Sequence, residues 1–150
     1  MSEGGFKVQG LSEIAIRCVD FEAMFAFYRD IIGLEVMNLF EGPGIAFFSI
    51  SQGVAGHTNV LALFRDGAGT KDEAADPSKP PLAGARSSLH HIALSLPFEE
   101  QAAAMRWYES KGIAYDIEIF DWVGWRGVFA HDPDGNTVEL VAFNEGLKTR

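Results

Sequence analysis

The sequence predicts an α+β protein built from two βαβββ modules. Three observations predict it. Leu11-Ser12-Glu13-Ile14-Ala15-Ile16-Arg17 recurs as Leu89-His90-His91-Ile92-Ala93-Leu94-Ser95, and Asn59-Val60-Leu61 recurs as Thr137-Val138-Glu139. Both recurrences keep one separation of 78 positions, from Glu13 to His91 and from Leu61 to Glu139. Within each copy the apolar period runs from two to helical and back to two, which reads as a strand, a helix and then further strands. A repeated unit too small to close a core alone implies two modules packed together.

In the first copy, Ile14, Ile16 and Cys18 alternate with Glu13, Ala15, Arg17 and Val19, so residues 13–19 read as a strand. Asp20 stands at an N-cap position. Phe21, Met24, Phe25, Tyr28, Ile31 and Ile32 follow at helical spacing, and Gly33 is the expected C′ residue. Residues 34–40, 45–50 and 59–64 read as three strands, with Gly42-Pro43-Gly44 as a turn. No helix or Lys follows that turn, so it is no phosphate loop. The second copy repeats the order. Residues 90–96 form a strand, Pro97 opens a helix with Phe98, Ala102, Met105 and Tyr108 as its apolar stripe, and Gly112 ends it. Residues 113–120, 125–130 and 137–143 complete the strands. Asp132-Pro133-Asp134-Gly135-Asn136 is a tight hairpin turn; its two aspartates lack the further oxygen ligands of a calcium loop. The expected organisation is a tail over 1–10, a module over 11–64, a linker over 65–88 rich in Pro and Gly, a module over 89–143, and a tail over 144–150.

With 150 residues, 47% of them hydrophobic, the chain can bury a sizeable core. Its formal charge of −9 argues against nucleic acid or an anionic membrane as partner, since both need a basic patch. Cys18 is the only cysteine, which excludes an intrachain disulfide and fits a reducing compartment. The first residues carry no basic region followed by an apolar run, and no segment has the apolar length of a membrane helix. The expected setting is the cytoplasm.

Strand parity locates the candidate chemistry. One face of each first strand is aliphatic and suits a helix. The opposite face carries Glu13, Ala15 and Arg17, or His91, Ala93 and Ser95, and small and polar residues there suit a cavity. Glu139 lies between Val138 and Leu140, which point the other way. If the sheet curls, Glu13, His91 and Glu139 converge. One imidazole and two carboxylates would hold a divalent ion such as Mn, Fe, Zn or Ni and leave positions for substrate or water. Taken singly, each of the three also reads as a solvated or structural residue. Arg17 and Arg126 are candidates for gripping a substrate oxyanion, or for simple pairing and solvation. Trp122 and Trp125 could wall a pocket or belong to strand and core. His57, in a Gly-containing stretch, is a candidate general base or a surface-loop residue. Glu13 and Glu139 are the candidate catalytic carboxylates. His90 and His131 read as structural or exposed.

The pattern resembles the vicinal oxygen chelate superfamily, which unites glyoxalases, bleomycin-resistance proteins and extradiol dioxygenases. The likeness runs from about Leu11 to Asn144. It rests on Phe27-Tyr28-Arg29-Asp30-Ile31-Ile32-Gly33-Leu34-Glu35-Val36, on His90-His91-Ile92-Ala93, and on the run from Asp132 through Leu140. The resemblance implies a curved, cup-like mixed sheet with helices outside, enclosing a divalent metal. It places the ligand positions at Glu13, Leu61, His91 and Glu139. His91 and Glu139 match the usual types; Glu13 departs from the usual His or Gln; Leu61 cannot ligate. The implied protein is a lyase, isomerase or oxygenase acting on a small oxygenated substrate. The alternative is a metal-free binding protein of the bleomycin-resistance type. Both a cup closed within one chain and one closed by module exchange in a homodimer remain open.

Overall fold

The computed structural model describes residues 9–11, 13–53, 55, 57–68, 89 and 91–149. It divides into two compact units, Met1–Lys79 and Pro80–Arg150.

The first unit contains β1 (Glu13–Cys18), α1 (Phe21–Ala26), β2 (Glu35–Phe40), β3 (Ile45–Gln52) and β4 (Thr58–Arg65). Its four strands pair in the order β1-β4-β3-β2. β1 runs parallel to β4 and the other pairs are antiparallel. The parallel pair follows from the connection: the helix carries the chain over one face, as parallel strands require. Asp20 caps α1 by accepting the Ala23 N–H at 3.0 Å. The apolar spacing suggested one helix to Ile32, but α1 ends at Ala26 and a π-helical turn, Phe27–Ile31, follows. Its wider bonds, such as Ile32 N–H to the Phe27 carbonyl, accompany burial of the consecutive rings of Phe27 and Tyr28. Gly33, at φ +80°, then stops the helix. The core lies between helix and sheet: Phe21, Met24 and Tyr28 face Ile16, Cys18, Leu61, Leu63, Ala46 and Phe48, all buried. β3 and β4 outrun their apolar stretches because polar residues continue the ladder. Ser51 pairs with Asn59, whose amide donates to the Ser51 hydroxyl at 3.0 Å.

The second unit repeats the plan with β5 (His91–Ser95), α2 (Gln101–Ser110), β6 (Asp116–Phe120), β7 (Trp125–His131) and β8 (Thr137–Phe143). Its order is β5-β8-β7-β6, the same as in the first unit, with β5 parallel to β8. A short 3₁₀ turn, Phe98–Glu100, precedes α2. β6 begins at Asp116 rather than at 113 because the Ile113 N–H bonds the Tyr108 carbonyl and so belongs to the helix exit. The helix stripe also differs from the periodicity. Tyr108 is buried, but Ala102 is exposed and Gln101 is fully buried in its stead. The Gln101 amide donates to the carbonyls of Arg126 (2.7 Å) and Leu140 (3.0 Å), and its oxygen accepts from Arg126 Nε at 2.7 Å. A side chain with donors and an acceptor thus ties α2 to β7 and β8, where an apolar residue would only fill space. In the hairpin before β8, buried Asp132 accepts from the N–H groups of Asp134 and Asn136 and from the Asn136 amide. That is a structural turn.

Of the linker expected over 65–88, Arg65 pairs in β4 and residues 66–68 form a turn. Residues 69–88 lie outside the described residues, as do 1–8 of the expected N-terminal tail, and His90. The expected C-terminal tail contains a 3₁₀ turn, Glu145–Leu147, capped by Asn144. Among the described residues no helix is long and apolar enough to cross a membrane.

Candidate functional site

The second unit presents a polar group on the sheet face opposite α2. Register fixes which residues share that face: His91 pairs with Thr137, Ala93 with Glu139, and Phe129 with Glu139. His91, Ala93, Glu139, Phe129, Gly127 and Trp125 therefore point one way, and Ile92, Val138, Val128 and Arg126 point toward the helix. His91 Nε2 lies 3.3 Å from Glu139 Oε2. The pair is unequal in exposure, 35% for the His91 side chain and 6% for that of Glu139. Burial raises the pKa of Glu139 above the ordinary carboxylate range. His91 opposes the rise, and the charge of Glu118 adds to it. Glu118 pairs with Gly127 on β6 and so belongs to the same face. The Phe129 ring packs edge-on to both His91 and Phe120. A half-exposed imidazole beside a desolvated carboxylate can share a proton or offer two donors to a divalent ion.

The other residues singled out in the sequence take separate places. Arg126 lies on the helix side, bonded to Gln101 and stacked over Phe98 at 4.0 Å, so its guanidinium is engaged away from the His91 face. Trp122 and Trp125 are exposed and form a tilted ring pair at 6.3 Å. His57 is exposed, and its Nδ1 contacts the Thr58 carbonyl at 2.9 Å. In the first unit, Glu13 is exposed at the start of β1. Arg17 shares its face and lies 3.9 Å from Asp66, both well exposed. The same face carries Phe40, Phe47 and Phe64, which meet edge to face, beside Ala15 and Ala62. Within each unit, among the described residues, no three His, Cys, Asp or Glu side chains are gathered for one ion.

The sequence profile of the Glyoxalase/Bleomycin resistance protein/Dioxygenase superfamily matches residues 10–140. The chain belongs to that superfamily. Solved structures agree on the fold of a glyoxalase-type protein. A lactoylglutathione lyase from Agrobacterium tumefaciens is 22% identical, with a TM-score of 0.65, covering 90% of this chain and 94% of its own. A glyoxalase/dioxygenase from Nostoc punctiforme is 21% identical with a TM-score of 0.62, covering 97% of each chain. The fosfomycin resistance protein FosX from Listeria monocytogenes is 18% identical with a TM-score of 0.63, covering 95% of this chain and 100% of its own. No curated protein matches the chain.

One position carried over from the superfamily needs correction. The constant separation made Leu61 the counterpart of Glu139. In the structure Leu61 pairs with Ile14 and Phe48 on the helix side, whereas Glu139 pairs with Ala93 and Phe129 on the other side. The residue that pairs with Ala15 and Phe47, as Glu139 does with Ala93 and Phe129, is Ala62. The separation holds on the first strands and slips by one on the last, and a slip of one exchanges faces. Ala62 has no donor atom either. Gly127, Phe129, Glu118 and Gln101 escaped the sequence reading. Only Gly127 carried a signal, as a glycine inside a strand pattern.

Proposed function

We propose that the chain is a metal-dependent enzyme of the glyoxalase/dioxygenase type, a lyase, isomerase or oxygenase acting on a small oxygenated substrate. The observation that carries this reading is the His91–Glu139 pair on the face turned away from α2. Imidazole and carboxylate are a donor set suited to Mn, Fe, Zn or Ni, and Glu139 is held out of water beside His91. His91 and Glu139 would hold the ion. When bound, the metal supplies a Lewis acid for two vicinal substrate oxygens. The protein's own groups do the rest. Without the ion, burial makes the Glu139 carboxylate a stronger proton acceptor than a solvated one. Arg17 is the candidate partner for substrate charge. The Trp122–Trp125 pair offers exposed rings to an apolar substrate portion. Arg126, engaged by Gln101, is read as a link between helix and sheet, and His57 as a loop residue. The single buried thiol, Cys18, suits a cytoplasmic setting.

Elemental analysis of protein purified without chelator tests the proposal. Native chain should carry a first-row divalent metal, and Glu139→Gln should carry much less. Equal metal content in the two would remove Glu139 from the site.

A second reading has its own support. The Phe40–Phe47–Phe64 cluster, with Ala15 and Ala62 beside it, is an apolar patch on the β1 face that carries Glu13 and Arg17. It favours a protein that sequesters an aromatic ligand, as the bleomycin-resistance branch implies. Tryptophan quenching by planar aromatic compounds in excess chelator distinguishes the two. Saturable binding undiminished by chelator would favour sequestration.

A further inference from the structure

We infer that Gly127 is a positioning residue: its bare backbone is the seat on which the Glu139 carboxylate lies, and that seat holds the carboxylate beside His91. The inference rests on the reading of His91 and Glu139 as the working pair. Gly127 is buried in the middle of β7 and pairs with Val141 and Glu118. A glycine there weakens a strand, because it adds entropy to the unfolded chain and packs nothing. Its backbone gives no reason for it, since Gly127 is not among the positive-φ glycines. The reason is space. A Cβ at 127 would stand 2.5 Å from Glu139 Oε1, and 2.6 and 2.9 Å from Phe129 Cε2 and Cζ. Both obstacles are far ends of side chains on the candidate site, so an added methyl group displaces the site rather than the fold.

The first unit provides an internal comparison. Phe47 pairs with Ala62 there as Phe129 pairs with Glu139 here. Two residues before Phe47 stands Ile45, at the place Gly127 holds before Phe129. Where the last strand carries alanine, the neighbouring strand keeps a full side chain. Where it carries glutamate, the side chain is absent. The glycine accompanies the carboxylate.

The test is Gly127→Ala, with Gly127→Ala/Phe129→Leu as a companion that relieves the ring contact should the single variant fold poorly. Two measurements are made: a crystal structure grown with chelator, and titration with Zn²⁺ in solution. The expected structure has the fold intact and the Glu139 carboxylate displaced, well beyond its 3.3 Å separation from His91 Nε2. Zn²⁺ affinity should fall by about ten- to a hundredfold, the usual cost of disturbing a group that orients a ligand. In a Glu139→Ala chain, Gly127→Ala should change Zn²⁺ affinity no further, because no carboxylate remains to displace. A carboxylate left in place, with the added group absorbed by Phe129 or the strand, overturns the inference. So does unchanged affinity despite a displaced carboxylate, or an equal loss in the Glu139→Ala background. If the native chain shows no Zn²⁺ affinity, the proposed metal function falls, and the carboxylate position alone decides for or against Gly127.

Discussion

Single residues carry the electrostatic tension of the second unit. Glu139 is buried, and its pKa lies above its ordinary value of 4.5 chiefly because burial disfavours the charge. A carboxyl raised in the folded state binds its proton more tightly there than in the unfolded chain. Its contribution to stability is therefore full below the ordinary value and is lost as pH rises through the folded value. In chelator, the stability difference favouring Glu139→Gln should grow across that window and then level off. Urea unfolding at a series of pH values measures it. A glutamine variant less stable than native at neutral pH would mean that His91 more than offsets the burial. Tyr108 is a second case. Its hydroxyl is buried without a hydrogen-bond partner among the described residues, and burial pushes its pKa up to about 12. An unpaired buried hydroxyl costs free energy, so Tyr108→Phe should leave stability unchanged or raise it by up to about 1 kcal/mol. A clear loss would show that the hydroxyl has a partner after all. None of these tensions is legible in the sequence. A glutamate between Val138 and Leu140 announces its face but not how far water is kept from it, and a glycine announces space but not what fills it.

At the scale of elements, α2 is fastened to its sheet through one polar side chain. Gln101 serves two carbonyls and one guanidinium from a fully buried position. Gln101→Ala removes those three bonds and opens a space, and should lower unfolding free energy by about 2–4 kcal/mol. A loss well under 1 kcal/mol in urea titration would mean that water replaces the amide at no penalty. Arg126→Met belongs to the same link. It should destabilise the unit while leaving the binding of a small anionic ligand unchanged; weakened binding at unchanged stability would return Arg126 to the substrate. Alternation and helical spacing made the eight strands and two α-helices of the described residues legible, because burying one face imposes its period on the residues. The ends were less legible. Polar residues such as Ser51 and Asn59 extend a ladder that no apolar pattern marks, and residues 113–115 are apolar in part yet serve the exit of α2. Gln101 was missed because periodicity counts apolar residues and this inward position is polar.

At the scale of the whole molecule, the repeat is real in topology and unequal in chemistry. Both units use the same strand order and the same parallel pair. One carries Glu13, Ala62 and Ile45 where the other carries His91, Glu139 and the glycine that seats it. That division was half legible: the first-strand counterparts could be read from the separation of 78 positions, but the last-strand counterpart depended on a register that only the pairing reveals. The central claim, that His91 and Glu139 form a metal-binding pair, is tested most directly by titrating the chelator-treated native chain and His91→Ala with Mn²⁺ and Zn²⁺ in a calorimeter. The account predicts saturable binding of at least one ion by the native chain. It predicts a loss in His91→Ala of more than the roughly ten- to hundredfold that outer-sphere changes produce, with thermal unfolding little altered. Equal affinity in the two proteins, or none in the native chain, would contradict it.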